Sequence, residues 1–315
     1  LSITSFGGPQ AHIAMFLDVL VSKRGYLTEK ELMELNALCQ ILPGPTSTQT
    51  ITALGFKVGG PNLAYLTLLV WMLPAVTVMI GAGLVINLLT SQNISLDFLR
   101  YIQPVAVGIV AYSAYQISTK VVSTRLGYLL MVVGAFSAYY IRSPFLFPAI
   151  IVIGGMVSAF KFKHQPVEEK SRLKINWSNF FLWAGVLLVA AILGGITDYK
   201  PVLLFENFYR NGSLIFGGGQ VLVPYLYTEF VEFKAYITGE IFMSGYALSQ
   251  AIPGPTFSFT AYVGTVSLQE MGVVGQLLGG LLTAVAIFLP GTFLIFFVIR
   301  FWEQLKKYQI GRAHV

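Results

Sequence analysis

Long, unbroken runs of apolar residues dominate the chain, and short polar stretches separate them. A helix needs about 20 such residues to cross a hydrocarbon core of about 30 Å, and most of the runs approach that length. The runs predicted to form membrane helices are residues 62–89, 97–119, 126–141, 144–160, 177–195 and 271–300. The third and fourth runs are short for a span. The pattern predicts an all-α, polytopic membrane protein.

The composition supports the same class. Apolar residues make up 55% of the chain and charged residues only 11%, and the mean hydropathy is +0.71. Such a surface suits a lipid bilayer rather than water. Cys39 is the only cysteine, which excludes disulfides and cysteine-based metal clusters. We predict no cofactor and no nucleic-acid partner, and the absence of a Gly-x-x-x-x-Gly-Lys phosphate loop argues against an ATP-driven protein.

One membrane segment occurs twice. Residues 6–50 pair with residues 216–260 at a constant offset of 210, and 16 of these 45 pairs are identical. The positions singled out are Phe6, Gly7, Gly8, Gln10, Gln40, Pro43, Gly44, Pro45 and Thr46 in the first copy, and Phe216, Gly217, Gly218, Gly219, Gln220, Gln250, Pro253, Gly254, Pro255 and Thr256 in the second. A duplicated apolar segment that glycine and proline interrupt is typical of the binding site of a secondary transporter. We predict two homologous repeats, residues 1–160 and 176–315.

Charge placement predicts the orientation of the repeats. Residues 161–175 form the only long polar run and are mainly basic, so we predict a cytoplasmic linker there. The loops that follow the two Phe-Gly-Gly segments differ in charge. The first contains Lys23, Arg24 and Lys30, and the second contains Glu229, Glu232, Lys234 and Glu240. Opposite basic content in equivalent loops predicts repeats of inverted topology.

A re-entrant segment follows from counting crossings. Five apolar elements separate the loop around Lys23 from the linker, yet two cytoplasmic stretches require an even number of crossings. Residues 31–60 are the candidate for an element that enters and returns, because Pro43-Gly44-Pro45 would break a helix. Such backbone is tolerated at membrane depth where it is buried in protein or lines an aqueous cavity. Whether the Phe-Gly-Gly segments are also re-entrant stays open.

Each broken helix predicts an anion site. A helix that resumes at Thr46 or Thr256 presents unpaired N–H groups and the positive end of its dipole, and Pro45 and Pro255 suit its first turn. The glycines allow close approach of backbone amides. Further donors for a tetrahedral oxyanion are Ser47, Thr48, Thr50, Ser258, Thr260, Gln10, Gln40, Gln220 and Gln250.

The same residues have purely structural alternatives. Gly-Gly pairs also mark close helix packing, and Ser/Thr hydroxyls also bond the carbonyls of their own helix. We expect Lys57 to lie at the membrane interface rather than to bind a dianion. We expect Asp18 and Glu34 to lie near loops rather than to carry protons. We expect His12 to form a polar contact between helices. No feature identifies a coupling ion.

The two repeats differ in length. Helices 97–160 of the first repeat would need counterparts beyond residue 306, where the sequence soon ends. Because repeats are whole units, we expect a fragment that lacks roughly 60 C-terminal residues, and Leu1 in place of a start methionine fits a fragment. A naturally asymmetric repeat is the alternative.

The duplicated motifs resemble a known family. Phe6-Gly7-Gly8-Pro9 and Phe216-Gly217-Gly218-Gly219, each followed by Gln-Ile-Leu-Pro-Gly-Pro or Gln-Ala-Ile-Pro-Gly-Pro, are similar to the paired signature of the chromate ion transporter family. Leu73-Pro74 and Leu289-Pro290 match its pattern as well, and the similarity spans nearly the whole chain. Pro9 departs from its duplicate, Gly219. The resemblance implies a two-domain bacterial inner-membrane protein that expels chromate and confers chromate resistance, with a link to sulfate.

The resulting hypothesis is a secondary transporter, not an enzyme, that moves chromate outward by alternating access, with both Pro-Gly-Pro tips in the oxyanion site. The alternative is a transporter of the same fold for sulfate or another oxyanion, including an importer. A channel stays open. A membrane oxyanion reductase is disfavoured because no cysteine pair, histidine cluster or dinucleotide-binding turn is present. The expected partners are chromate, sulfate and the lipid bilayer, and a homo-oligomer is compatible with the sequence.

Overall fold

The chain folds into α-helices joined by short turns. The structure, a computed structural model, describes residues 1–6, 8–92, 101, 103–122, 124–141, 143, 146–159, 176–216 and 219–312, and no β-strand occurs among them. The helices are α1 (Gly8–Phe16), α2 (Glu29–Ile41), α3 (Thr46–Ser91), α4 (Gln103–Val121), α5 (Arg125–Tyr140), α6 (Leu146–Ala159), α7 (Ser178–Ile196), α8 (Lys200–Leu214), α9 (Gly219–Tyr227), α10 (Gly239–Ala251), α11 (Phe259–Ser267) and α12 (Gly272–Arg312). The predicted all-α class is confirmed.

All six predicted apolar runs contain helices, namely the long part of α3, then α4 to α7, and α12. The segments long and apolar enough to cross a membrane are Thr46–Ser91, Ser178–Ile196 and Gln269–Trp302. Helices α5 and α6 have 16 and 14 residues. At about 1.5 Å per residue they reach only about 24 and 21 Å, short of a hydrocarbon core of about 30 Å, as the lengths of the third and fourth runs predicted.

Helix α8 was not predicted, because Lys200, Glu206 and Arg210 interrupt its apolar residues and leave no continuous run. Its apolar residues lie instead along one side of the helix. Leu204 and Phe208, which are one turn apart, are fully buried. The predicted linker, residues 161–175, lies outside the described residues, and the repeat boundaries stay a prediction.

The two duplicated segments fold in the same order of elements. Helices α1 and α9 each continue into a π-helical segment, Leu17–Lys23 and Thr228–Phe233. The following turns contain Gly25 with φ +62° and Ala235 with φ +51°, two positions that the offset of 210 pairs. Helices α2 and α10 then have 13 residues each. The internal repeat is therefore a repeat of structure as well as of sequence.

The segment around Pro43-Gly44-Pro45 is a helical hairpin. The first part of α3 runs antiparallel to α2, because Thr50 Oγ1 lies 3.4 Å from Asn36 Oδ1 near the tip while Lys57 pairs with Glu31 at the open end. Helix α2, with 13 residues, is about 20 Å long, too short to cross the membrane. Non-helical Gly59 and Gly60 then redirect the chain into the long part of α3. The predicted helical hairpin is confirmed, and its re-entry into the membrane stays a prediction.

The second repeat forms an equivalent hairpin from α10 and α11. The Tyr262 hydroxyl donates to the Ile241 carbonyl at 3.0 Å, and the rings of Phe242 and Phe259 lie 4.9 Å apart. At its open end Gly272, with φ +68°, begins α12, just as Gly60, with φ +73°, precedes the long part of α3.

Each hairpin packs against the long helix of the other repeat. The apolar core around the first hairpin includes Ile295, Phe296 and Ile299 from α12. The core around the second hairpin includes Leu68, Met72 and Val76 from α3. Because each repeat completes the core of the other, the two tips lie at the joint between the repeats.

One charge assignment from the sequence is wrong. Glu229 and Lys234 were assigned to a loop, but Glu229 lies in the π-helical segment and is 0% exposed, and Lys234 approaches it to 3.7 Å. Glu229 is therefore not a loop charge, because the chain stays helical through Phe233, whereas Lys234 lies in the turn that follows. Glu232 lies in the same π-helical segment and Glu240 lies in the first turn of α10, so the charge contrast between the equivalent loops stays a prediction.

Candidate functional site

Both Pro-Gly-Pro tips break the helix at glycine. Gly44 has φ +114° and Gly254 has φ +120°, values that residues with a side chain rarely adopt. Pro45 and Pro255 have extended backbone and stand just before the resumed helices, one position earlier than the first-turn position predicted for them. Proline suits this place because its missing N–H has no helical partner there.

A reciprocal pair of hydrogen bonds joins each tip to the residue just before the opposite Phe-Gly-Gly segment. The Gly44 N–H donates to the Ile215 carbonyl at 2.8 Å, and the Gly254 N–H donates to the Ser5 carbonyl at 2.9 Å. The offset of 210 relates Gly44 to Gly254 and Ser5 to Ile215, so each tip binds the start of the opposite Phe-Gly-Gly segment. Contacts in which one residue meets the counterpart of its own partner indicate two-fold pseudosymmetry.

A second pair of contacts has the same symmetry. A side chain added at Gly44 would meet Gly291 in α12, and one added at Gly254 would meet Ala75 in α3. Gly291 follows Pro290 as Ala75 follows Pro74, and each proline leaves its helix one backbone hydrogen bond short. The tips therefore cross the long helices where the backbone of those helices is already interrupted.

Four helical segments begin beside this joint. Helix α3 begins at Thr46 and a 3₁₀ turn begins at Thr256, directly after the two tips. Helices α1 and α9 begin at Gly8 and Gly219. The N-termini contribute positive partial charge and N–H groups without helical partners. The C-terminal ends of α2 and α10 also lie here and offset part of this positive potential.

The structure shows part of the predicted contact between the Phe-Gly-Gly segments and the tips. A side chain at Gly219 would lie 2.9 Å from Thr256 Cβ, so the backbone of this segment approaches the resumed helix closely. Phe6 and Phe216 are exposed, at 54% and 40%. The predicted residues Gly7, Gly217 and Gly218 lie outside the described residues, as do the side chains of Gln10 and Gln220.

Several predicted hydroxyl donors bond their own helix instead. The Thr50 hydroxyl donates to the Thr46 carbonyl at 2.8 Å, and Ser258 donates to the Pro255 carbonyl at 2.7 Å. Thr260 donates to the Phe257 carbonyl at 2.9 Å. These hydroxyls were assigned to the anion, but local helix geometry already satisfies them. Thr46 and Thr256 differ, because both are half-buried and neither hydroxyl has a partner within the described part of the chain.

Ser47 and Thr48 contact α1 and the long part of α3. His12 Nδ1 lies 3.0 Å from Ser47 Oγ, and Trp71 Nε1 donates to Thr48 Oγ1 at 3.2 Å. The His12 and Trp71 rings meet edge to face with centroids 5.2 Å apart. His12 is thus a polar contact between helices, as predicted, and the two hydroxyls fix the start of α3 rather than face a ligand.

The predicted amide donors stand one turn before the tips. Gln40 is exposed on the last turn of α2, and Gln250 is half-buried on the last turn of α10. Gln250 Nε2 lies 3.4 Å from its neighbour Ser249 Oγ, a long contact. Both amides are therefore available to a ligand without the loss of a strong hydrogen bond.

The predicted charges lie away from the tips. Lys57 pairs with Glu31 at the open end of the hairpin instead of standing alone at the interface. Asp18 pairs with Lys23 at 2.6 Å and is 55% exposed, in agreement with its predicted place near a loop.

The sequence did not single out Gln49. Its Nε2 donates to the Pro43 carbonyl at 2.8 Å and to the Gly291 carbonyl at 3.3 Å, which ties the first tip to the long helix of the second repeat. Its Oε1 is buried without a partner among the described residues. Phe259 stands at the equivalent position, so a search for matching pairs passed over Gln49.

The tips are packed against protein. Four cavities of 310, 520, 600 and 640 Å³ open elsewhere on the described part of the chain, and residues of the two Pro-Gly-Pro tips do not line them. Among the described residues, no group of His, Cys, Asp and Glu could hold a metal ion.

The chain is similar to known transporters. A protein of Methanocaldococcus jannaschii described as an uncharacterized transporter is 26% identical over 312 residues, which cover 97% of this chain and 75% of that protein. A probable chromate transport protein of Synechococcus elongatus is 27% identical, with 92% and 71% covered. The chromate transport protein of Pseudomonas aeruginosa is 26% identical, with 90% and 68% covered. No solved structure matches.

A family model extends this similarity over most of the sequence. The model described as chromate transporter matches residues 1–159 and residues 202–314. The matched regions contain both hairpins, both tips and the Phe-Gly-Gly segments that bind them. The apolar helices long enough to cross a bilayer agree with a membrane protein. The chain therefore belongs to the chromate transporter family.

Proposed function

We propose that this protein exports chromate across the bacterial inner membrane as a multi-pass secondary transporter. The observation that carries the proposal is that four helical segments begin beside the reciprocal hydrogen bonds between the Pro-Gly-Pro tips and the opposite Phe-Gly-Gly segments. Helix N-termini with unpaired N–H groups bind oxyanions. Family membership and the names of two relatives as chromate transport proteins support chromate as the anion.

The site binds a dianion without a fixed positive charge. Backbone N–H groups at the starts of α3 and of the 3₁₀ turn at Thr256 supply the first donors, and Thr46, Thr256, Gln40 and Gln250 add neutral ones. Partial charges spread over several donors hold an anion while still permitting its release. The residues proposed for this site are those predicted from the sequence, namely Phe6, Gly7, Gly8, Gln10, Gln40, Pro43, Gly44, Pro45, Thr46, Phe216, Gly217, Gly218, Gly219, Gln220, Gln250, Pro253, Gly254, Pro255 and Thr256.

Alternating access follows from the two-fold relation of the hairpins. If the repeats have inverted topology, the two hairpins enter from opposite sides, and opening one contact between a tip and a long helix exposes the site to one side only. The first tip is buried and the second is half-buried, which fits a closed arrangement between these two openings.

Export of a dianion needs no ATP. The interior of a bacterium is negative, and each elementary charge that crosses gains about 2.3 kcal/mol per 100 mV. Outward movement of chromate is therefore downhill in the membrane potential, and such export would confer chromate resistance. A transporter of the same fold that carries sulfate or another oxyanion, including an importer, is the competing function.

Chromate flux into inverted membrane vesicles tests this proposal. In vesicles from cells that express the protein, we expect saturable chromate accumulation that an inside-positive potential increases and sulfate inhibits. Vesicles from cells without the protein are the control. Sulfate flux without chromate flux would change the cargo to sulfate, and flux of neither anion would overturn the transport assignment.

Replacing Gln40 and Gln250 tests the proposed donors. A hydrogen bond to a charged group contributes about 1.5–3 kcal/mol, so we expect each of Gln40→Ala and Gln250→Ala to weaken chromate binding roughly tenfold or more. Gln116→Ala is the matched control, because its amide donates to the Tyr112 hydroxyl at an exposed site on α4. Unchanged binding and flux in both variants would show that the assignment is wrong.

A further inference from the structure

A fully buried carboxylate lies in the second repeat, beside helix α8. Glu229 is 0% exposed, and its oxygens accept hydrogen bonds from Arg210 Nη2 at 2.6 Å and Asn211 Nδ2 at 2.8 Å. Lys234 Nζ lies 3.7 Å away. A buried charge is costly unless it is paired, and clusters of buried ionisable groups often mark functional sites. The candidate site described above contains none of these residues.

Glu229 lies among cations and close to a second carboxylate. Arg210 also pairs with Glu206 at 2.8 Å, so Arg210 and Lys234 match Glu206 and Glu229. The other titratable groups that the described structure places here are Tyr225, whose hydroxyl lies 3.1 Å from Arg210 Nη1, Tyr236, whose ring lies 5.7 Å from Lys234 Nζ, and Lys200, whose Nζ lies 5.3 Å from the same ring. A proton on Glu229 would therefore raise the positive charge of the cluster by one.

Asn207 adds a donor that nothing in the described structure uses. Its Oδ1 accepts from Lys234 Nζ at 2.6 Å and from Arg210 Nη2 at 3.2 Å. Lysine and arginine can only donate, so the orientation of the amide follows from its partners. The Nδ2 group is buried and has no partner among the described residues, although Asn207 is 0% exposed. Buried donors are rarely left unpaired, so this N–H group is free to bind an anion's oxygen.

Helix α8 connects the cluster to the first tip. Arg210 precedes Ile215 by five residues, about 7.5 Å along the chain direction of α8, and the Ile215 carbonyl accepts from Gly44. The side chains of Arg210 and Lys234 are 16% and 20% exposed, so one edge of the cluster remains accessible. In the first repeat Val19 stands at the position of Glu229, so the equivalent segment has no carboxylate there.

The donors that hold Glu229 are those that bind a tetrahedral oxyanion. A guanidinium, an ammonium and side-chain amides around one carboxylate would serve an anion's oxygens equally well. We propose that Glu229 is a proton-binding group, and that the donors Arg210, Lys234, Asn207 and Asn211 bind the oxyanion when Glu229 is protonated. This inference rests on the proposed function and adds a second anion subsite to it.

The exchange is balanced in charge and atoms. A proton from water adds to the Glu229 carboxylate, which becomes a neutral carboxylic acid and releases its hold on Arg210. The oxyanion then accepts the hydrogen bonds that the carboxylate accepted before. When the proton leaves, Glu229 regains its charge and displaces the anion from the shared hydrogen-bond donors. One proton therefore accompanies each anion that occupies this subsite.

Proton uptake on chromate binding tests the proposal. Calorimetry of the purified protein in two buffers of different ionisation enthalpy gives the number of protons taken up. We expect wild type to take up about one more proton per chromate than Glu229→Gln. Wild-type affinity should fall by up to about tenfold per unit rise in pH relative to the variant. Glu229→Gln should bind chromate more tightly than wild type at alkaline pH, because its neutral side chain mimics the protonated acid.

The controls separate this effect from others. Chromate itself takes up a proton near neutral pH, but that contribution is common to both proteins. Asp18→Asn removes one carboxylate from an exposed ion pair in the equivalent segment of the first repeat and should keep the wild-type proton number. If Glu229→Gln does not fold, the double variant Arg210→Gln/Glu229→Gln removes both charges of the pair and should lose the same proton.

The outcomes distinguish this inference from the proposed function. An unchanged proton number in Glu229→Gln, or in the double variant, would overturn the inference while wild-type chromate flux upheld the transporter. A gain of affinity at alkaline pH would support it, since a merely structural role for Glu229 predicts a loss. Wild-type protein that neither binds nor carries chromate or sulfate would overturn both.

Discussion

Replacing Gly254 with alanine is expected to destabilise the protein and abolish chromate flux. Gly254 has φ +120°, and a Cβ there would lie 2.7 Å from the Ala75 Cβ. Backbone strain of this kind costs about 1–3 kcal/mol, and forcing an extra carbon into a packed contact costs about 1–3 kcal/mol more. The tip would have to move away from α3 and stretch its hydrogen bond to Ser5.

Two further glycine variants complete the series. Gly44→Ala should show a smaller loss, because its Cβ would meet Gln49 Nε2 at 3.2 Å and Gly291 Cα at 3.3 Å. Gly25→Ala is the control: Gly25 also has positive φ, its surroundings are open, and Ala235 already occupies the equivalent position. We expect it to cost about 1–2 kcal/mol and to keep wild-type flux.

Thermal unfolding and chromate flux in vesicles test the expected ranking, in which Gly254→Ala loses most, Gly44→Ala less and Gly25→Ala least. If Gly254→Ala were as stable as Gly25→Ala and fully active, close contact at the tip would not be required for transport. Loss of flux in a variant that stays folded would place the effect at the site rather than in general stability.

Replacing Arg210 with alanine is expected to lower the stability by about 3–5 kcal/mol. Removing one partner of a buried ion pair leaves the other charge uncompensated, and Arg210 compensates both Glu229, which is 0% exposed, and Glu206. Most of this loss of stability comes from leaving the Glu229 and Glu206 carboxylates without their cation, rather than from the net contribution of the ion pair. Denaturation of the purified protein in detergent would measure it.

Lys23→Ala is the matched control for this variant. Lys23 and Asp18 form a pair at 2.6 Å, but their side chains are 65% and 55% exposed. An exposed pair contributes about 0–1 kcal/mol, so little change is expected. Equal stability of the two variants would mean that solvent reaches Glu229, in contradiction to its burial.

The helices and the tips were predictable because their signals are local. Apolar runs indicate membrane helices wherever they occur, and Pro43-Gly44-Pro45 breaks a helix whatever its neighbours are. The helical hairpin was predictable for a related reason, since the helix break and the parity of crossings depend only on order along the chain. Helix α8 escaped prediction because Glu206 and Arg210 interrupt its hydropathy, and their mutual pairing is invisible in a one-dimensional pattern.

Residues that differ from their counterparts in the other repeat were not predictable. Gln49 and Glu229 have Phe259 and Val19 at their equivalent positions, so a search for matching pairs discards them. The hydroxyls of Thr50 and Ser258 were assigned to an anion because their residue type suits one, but their own helix carbonyls lie closer. Residue type indicates what a side chain can do, whereas distance decides what it does.

The sequence by itself determined that the protein suits a lipid bilayer, that it is helical, that it contains a repeat, and that its helices break at the two Pro-Gly-Pro motifs. Hydropathy, proline chemistry and duplication are all properties of the order of residues along the chain. Only the tertiary structure decided that Gly44 binds Ile215 and Gly254 binds Ser5, and that Glu229 is buried against Arg210. These contacts join residues that are far apart in sequence or lie on different helices. Their geometry arises from the packing of one repeat against the other, which no local pattern encodes.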